Sequence, residues 1–547
     1  MTTRVLVVGN GMAGARVAEE LRRRDPSGHQ IAVTVVGEEA HAAYNRILLS
    51  TVVGGAITPR ETRLKPDGWW EAHLIEVRTG SRVTAVDTLT RTATVCRVPA
   101  AGGQPTDASL TDASTQIAWD ELVLATGSTS FMPRIEGTQV GDRRFDDAQA
   151  GDMQLEETDV VAFRSIDDCA RLVRAARSAS HAIVLGGGLL GIEAARGLLM
   201  RGVDVTIVHP RSIPMERQLD DDGGAVLTRV LRATGARLIL GRRVTAWRDA
   251  AGGHGHEAVL DDGTTIAGDL LVVAAGILPR VDLARDLGAE VRRGIVVDDR
   301  LSTTVPHVHA VGECVEHRGT VYGLVQPGWE QARVLADVLT GADPTSRYEG
   351  TEPLTRLKVH DIDLASMGVV TTGLHDDDHE VVTVADPRRG RYAKLVLRGD
   401  RVVGAVLLGA GDVAGAVSQL FDSGAPAPTD RIALLLGRAP GSGATPLDAV
   451  SLAQMPGSAV ICRCNSVTKH GIVEAWRSGC TTRDAVATAT RATTGCGSCV
   501  AAVDGLCQWL TSVEPPDMAA RAGPESPTVS DQPQQHHPTA AFAEGAA

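Results

Sequence analysis

Val5-Leu-Val-Val-Gly9-Asn-Gly11-Met-Ala-Gly14 is a short apolar, β-branched run that opens into G-x-G-x-x-G and then a helical pattern through Arg24. The pattern predicts a strand, a tight turn and a helix whose N-terminal N–H groups and positive dipole end can take a pyrophosphate. The first two glycines allow the turn and a close backbone approach, and the third allows helix and strand to pack together. Ala182-Ile-Val-Leu-Gly186-Gly-Gly188-Leu-Leu-Gly191-Ile-Glu193 repeats the arrangement, 177 residues further on by first glycine. One such motif is also satisfied by a strand–helix turn that binds nothing. Two in one chain point to two dinucleotides and to an α/β fold built on two such domains.

The 547 residues suffice for three or four domains, and the net charge of −13, with both signs interspersed, argues against nucleic acid and anionic membrane surfaces as partners. The N-terminus runs directly into a strand-like segment with no basic region or cleavage site. The most apolar long run, Ala182 to Met200, holds five glycines, Glu193 and Arg196, which excludes it as a membrane span. With nine cysteines and no secretory signal, a reducing compartment and a cytoplasmic location are expected.

Four of those cysteines form two tight pairs, Cys462-x-Cys464 and Cys496-x-x-Cys499, while Cys96, Cys169, Cys314, Cys480 and Cys507 are scattered. Two thiolate pairs imply an iron–sulfur cluster or a structural zinc, and the spacing leaves both open, although C-x-C is the less usual half of a zinc knuckle.

Further motifs lie between these landmarks. The strand Ile31–Val36 ends at Gly37-Glu38-Glu39, where a carboxylate can accept a ribose hydroxyl; Glu38 is the first candidate and Glu39 the second, with at least one of the two an ordinary solvated loop residue. Glu121-Leu-Val-Leu-Ala125-Thr126-Gly127 is a strand closed by a turn. The strand Val203–Val208 ends in His209-Pro-Arg211 with no acid to repel a 2′-phosphate, so NADPH is not excluded.

Ala43-Tyr-Asn-Arg46 resembles the flavin-binding region of the NAD(P)H nitrite reductase large subunit and of electron-transfer subunits of assimilatory nitrate and nitrite reduction. Val460-Ile-Cys462-Arg-Cys464-Asn-Ser-Val-Thr-Lys469, with Gly479-Cys480 and Thr494-Gly-Cys496-Gly-Ser-Cys499, resembles the [2Fe–2S] domain related to bacterioferritin-associated ferredoxin. The resemblance implies a glutathione-reductase-like flavoprotein of two dinucleotide-binding domains, an α+β interface domain and a small helical [2Fe–2S] domain. It places FAD in the cradle of Gly9, Gly11 and Gly14, and NAD(P)H, with a lean to NADH, in that of Gly186, Gly188 and Gly191. It lays Arg46 along the dinucleotide and makes Cys462, Cys464, Cys496 and Cys499 the cluster ligands, with Cys480 outside the set.

By the same resemblance, Ala125-Thr126-Gly127 and Gly276 mark the two crossings between domains. Gly312-Glu313 stands as a second FAD fingerprint with Glu in place of the usual Asp, and the helix from about Gln326 aims its N-terminus at the flavin ring. Glu193 is implied to point from the first turn of its helix toward the nicotinamide; interaction with the helix dipole accounts for it equally well. No cysteine falls in the Ala43–Ser50 region, which disfavours thiol chemistry beside the flavin.

The expected domains are 1–137 with 277–345 for FAD, 160–276 for NAD(P)H, an interface domain over 351–424 open to a second copy or a partner, a linker over 425–457, a [2Fe–2S] domain over 458–512 and a disordered tail over 513–547. Loops are expected over 97–118 and 138–158. The implied chemistry is hydride from the nicotinamide to the flavin, followed by single electrons to the cluster. No further paired cysteines follow for a sirohaem domain, so the acceptor is expected on another protein: an assimilatory nitrate reductase first, a separate nitrite reductase next. Alternatives are a general reductase for ferredoxin, rubredoxin or an oxygenase, and a non-catalytic redox sensor.

Overall fold

Strands such as Val5–Val8 are apolar at every position and so need both faces covered, which a parallel sheet flanked by helices provides. The computed structural model describes residues 2–98, 114–138, 159–250, 255–359, 362–438, 455–457, 459–462, 465, 467–494 and 499–514. The predicted tail from 515, most of the predicted loops over 97–118 and 138–158, and the middle of the predicted linker lie outside the described residues.

Two five-stranded parallel sheets follow one plan. In the first, Thr3–Val8 is central, between Ile31–Val36 and Glu121–Leu124, with Ile75–Arg78 and Val308–Ala310 at the edges. In the second, His181–Leu185 is central, between Asp204–His209 and Leu270–Val273, with Arg237–Leu240 and Val160–Ala162 outside. Each central strand therefore feeds a cradle at its carboxyl end. Each domain also carries a three-stranded antiparallel sheet. The two crossings lie side by side, Ser128–Ser130 pairing antiparallel with Ile277–Pro279.

The third unit is a five-stranded antiparallel sheet in the order Leu354–Val359, Ile362–Gly368, Arg401–Leu408, Arg391–Arg398, Glu380–Asp386. One face packs Leu364, Tyr392, Val406 and Leu408 into the core of the second domain, and the other packs against helix Gly411–Ser423. Both faces are thus occupied within the chain. Lys394 Nζ reaches Asp220 at 2.6 Å and Tyr392 donates to the same carboxylate at 2.7 Å, which clamps the sheet to the N-cap of helix Asp221–Ala233.

The last unit joins a two-stranded ribbon, Val460–Cys462 with Val467–Thr468, to helices Lys469–Arg477, Arg483–Thr490 and Val500–Val513 around the fully buried Trp476. Ile47 of the first domain packs into this core. Among the described residues no helix is long and apolar enough to cross a membrane.

Candidate functional site

The two cradles are built alike, and sterics explain why. Gly9 has φ +119°, and a Cβ there would overlap the Ala125 carbonyl; one at Gly14 would overlap the carbonyl of Gly9. Gly186, with φ +117°, and Gly191 stand in the same relation to Ala274 and to each other. The middle glycines differ. A Cβ on Gly11 or Gly188 would meet nothing within 4 Å, so packing does not demand glycine there. The open face at the start of helices Met12–Arg24 and Leu189–Leu199 fits close approach of a pyrophosphate, and the buried Asn10 amide atoms beside the first cradle have no partner among the described residues. A dinucleotide fits both positions.

The carboxylates after Val36 part company. Glu38 is held by Arg82 and, at 2.7 Å, by Arg280, whose carbonyl accepts from Thr126 Oγ1 and whose N–H donates to Gly127 O. Glu39 accepts from Tyr44 Oη at 2.6 Å and pairs with Arg46. Arg46 also donates to the Arg164 carbonyl at 3.2 Å and lies over the Tyr44 ring. Burial lowers the Arg46 pKa but the attraction of Glu39 outweighs it, so the guanidinium stays charged. Arg164 in turn pairs with Glu313 and donates to Ser128 O at 3.0 Å, while Ser128 Oγ donates to Glu313 at 2.8 Å.

This polar chain joins the first cradle's wall, the crossing and the entry to the second domain. Of this chain of contacts, sequence reasoning singled out Glu38, Glu39, Arg46 and Glu313 as candidates. It missed Arg164, Ser128 and Arg280, whose partners lie far along the chain and carry no local signature. It also missed Gln331, fully buried, whose Oε1 accepts from Gly312 N at 2.7 Å. Gly312 has φ +89° and Gly276 φ +129°, conformations that favour glycine at both turns.

Glu193 is buried on helix Leu189–Leu199 as its fifth residue. The first-turn placement is therefore corrected: it begins the second turn, where the dipole effect has largely faded. His209 is buried too, its Nδ1 accepting from Gly187 N at 3.0 Å and its Nε2 facing Glu216 Oε2 at 3.1 Å, while Arg211 is exposed. Burial is the main reason the His209 pKa is lowered. Burial also pushes the Cys169 thiol up to about 12 and raises Cys314, so neither is a ready nucleophile.

At the far end, Cys462 is fully buried and Cys499 nearly so; Cys464 and Cys496 lie outside the described residues. Asn465 Nδ2 lies 3.7 Å from Cys462 Sγ and donates to the Arg491 carbonyl at 2.6 Å, and Thr493 N donates to Cys499 Sγ at 3.3 Å. Amide donors aimed at buried sulfur fit thiolates that ligate a metal cluster. Asn465, Thr490 and Arg491 also close a cavity of about 70 Å³ with Met12, Arg16 and Trp329. Trp329 Nε1 donates to Met12 O at 3.2 Å, so the sulfur-bearing unit rests where the first cradle's helix begins.

The family model for pyridine nucleotide-disulphide oxidoreductase matches residues 3–334, that for the rubredoxin NAD+ reductase C-terminal domain matches 353–423, and that for the BFD-like [2Fe-2S] binding domain matches 460–508. Nitrite reductase [NAD(P)H] of Bacillus subtilis (strain 168) is 36% identical over 92% of this chain and 57% of its own length. The assimilatory nitrate reductase electron transfer subunit of the same organism is 32% identical over 93% and 60%. The chain thus spans about three fifths of these relatives. Among solved structures, the ferredoxin reductase for the CYP199A2 system from Rhodopseudomonas palustris is 25% identical with a TM-score of 0.62, covering 74% of this chain and 91% of that one.

Proposed function

This chain belongs to the pyridine nucleotide-disulphide oxidoreductase family and carries a BFD-like [2Fe-2S] binding domain, and from those premises we propose that it takes electrons from NAD(P)H and delivers them to a separate acceptor protein of nitrate or nitrite assimilation. The observation that carries the reading is the seat of the sulfur-bearing unit on the first domain, where Ile47 packs into the unit's core and Met12 and Trp329 line a cavity with Asn465 and Arg491. Bound FAD supplies the change from hydride to single-electron chemistry, and the [2Fe–2S] cluster supplies the one-electron exit.

The chain's own residues do the rest. Residues 1–137 and 277–345 form the FAD-binding domain and 160–276 the NAD(P)H-binding domain; Gly9, Gly11 and Gly14 admit one pyrophosphate, and Gly186, Gly188 and Gly191 the other. Glu39–Arg46 and Arg164–Glu313 keep the wall between the domains charged and fixed, with Glu38 tied to the crossing through Arg280. Cys462, Cys464, Cys496 and Cys499 would hold the cluster, with Asn465 Nδ2 and Thr493 N facing the Cys462 and Cys499 thiolates. Hydride transfer asks for stacking and orientation, so no general acid or base is assigned.

Support for the acceptor comes from the relative named as an electron transfer subunit of assimilatory nitrate reductase. The test is NADH- or NADPH-dependent consumption of nitrate by the purified chain mixed with a purified assimilatory nitrate reductase, beside the same assay with nitrite reductase, ferredoxin and rubredoxin. Turnover at least tenfold faster with a nitrogen-assimilating partner is expected. Equal rates with all carriers would instead make the chain a general reductase.

A further inference from the structure

The adenosine ribose of a dinucleotide meets the end of the strand that follows the cradle helix, where an acid accepts the 2′-hydroxyl and repels a 2′-phosphate. In the second domain that strand ends at His209, and His209 is not free for the task. Its ring lies against Gly187 of the glycine loop, where an added Cβ would come within 2.9 Å of Cγ. Gly187 N–H donates to Nδ1, which must therefore be bare, so the neutral ring carries its proton on Nε2 and presents it to Glu216 Oε2 at 3.1 Å.

Glu216 is thus a carboxylate held through a buried ring against the loop that cradles the pyrophosphate. Its segment is pinned there a second time, because Met215 N donates to Gly187 O at 3.0 Å and the buried Met215 adopts φ +52°. The Glu216 side chain keeps 35% of its surface exposed, so the carboxylate is within reach of a ligand as well as of the histidine. Arg211 and Arg217 are exposed and form no ion pair among the described residues, and the charge that opposes a 2′-phosphate here is that of Glu216. We propose that Glu216, carried seven residues beyond the strand end and oriented by His209, is the group that reads the ribose 2′-position and makes this site select NADH over NADPH. His209 is a positioning residue in this arrangement. The inference rests on the second cradle being the nicotinamide nucleotide site.

The test is calorimetric binding of ADP-ribose and 2′-phospho-ADP-ribose to the whole purified protein, which reads selection without turnover. Wild type is expected to bind ADP-ribose at least tenfold tighter. Glu216→Gln, which keeps an acceptor and removes the charge, and Glu216→Ala are each expected to shrink that ratio several-fold. Unchanged ratios in both Glu216 variants at unaltered Tm, or a wild type that prefers the 2′-phosphorylated ligand, would overturn the proposal. Failure of both ligands to bind wild type would instead remove the second cradle as a nucleotide site, and the inference with it.

Discussion

The six cradle glycines are not equivalent, and substitution separates packing from binding. Gly14→Ala drives a methyl into the Gly9 carbonyl, a rigid backbone group, and is expected to cost about 1–3 kcal/mol as an overpacking change. Gly11→Ala meets nothing in the protein. It is expected to keep the melting temperature of the flavin-free protein while lowering FAD retention, because the methyl stands where the pyrophosphate approaches. Thermal melts of flavin-stripped protein and flavin-to-protein ratios after gel filtration check both; a Gly11→Ala protein that retains FAD in full would contradict this account of the cradle. These glycines were legible in the sequence because they recur at fixed spacing within one strand–turn–helix unit, although the contacts that Gly9 and Gly186 answer to, Ala125 and Ala274, lie at the ends of distant strands. Arg164 was not, since its partners Ser128 and Glu313 are 36 and 149 residues away and only the fold brings them together. His209 was noticed for lacking an acid, but its link to Glu216 depends on the path of the loop between them.

At the scale of elements, Asp220 joins two of them. It caps helix Asp221–Ala233 through Gly223 N, and it accepts from Lys394 and Tyr392 of the C-terminal sheet. Burial raises its pKa, but the hydrogen bonds from Lys394 and Tyr392 outweigh burial and the net shift is downward. A folded-state pKa below the unfolded value means that the unfolded chain binds the extra proton first. The stabilisation is therefore present above the unfolded aspartate value, about 3.9, and is lost as pH falls through the folded value. Lys394→Met is expected to lower Tm at neutral pH by leaving a half-buried carboxylate without its cation, at a cost of about 1–3 kcal/mol, and the deficit is expected to narrow in acid. Melts of both proteins across a pH series give the answer; a deficit constant with pH would show that the pair contributes packing alone. The unit was legible as an α+β domain over 351–424, whereas its seat on the second domain was not, because Lys394 and Tyr392 read as ordinary residues until Asp220 is placed against them.

For the whole molecule, the order of motifs gave away two cradles, two crossings and a cysteine-rich end, but not how the end is placed. That placement depends on Ile47 packing into the core of the end unit and on Met12 and Trp329 lining a cavity with Asn465 and Arg491, a seam of single residues that joins positions 12, 47 and 329 to positions 465 and 491. Arg491 Nε and Nη2 are buried in it without partners among the described residues, and burial lowers the guanidinium pKa. If the proposed relay holds, the seam predicts that transfer between the two centres takes place within one chain, which a mixture of separate domains would not reproduce. The central claim is the relay itself, and anaerobic titration with NADH tests it most directly, followed by visible and electron paramagnetic resonance spectra with iron and sulfide assayed on the same sample. The account predicts bleaching of the flavin, then reduction of a cluster of about two irons per chain, at a rate that does not change with protein concentration. Zinc in place of iron, or a flavin that NADH leaves oxidised, would contradict it.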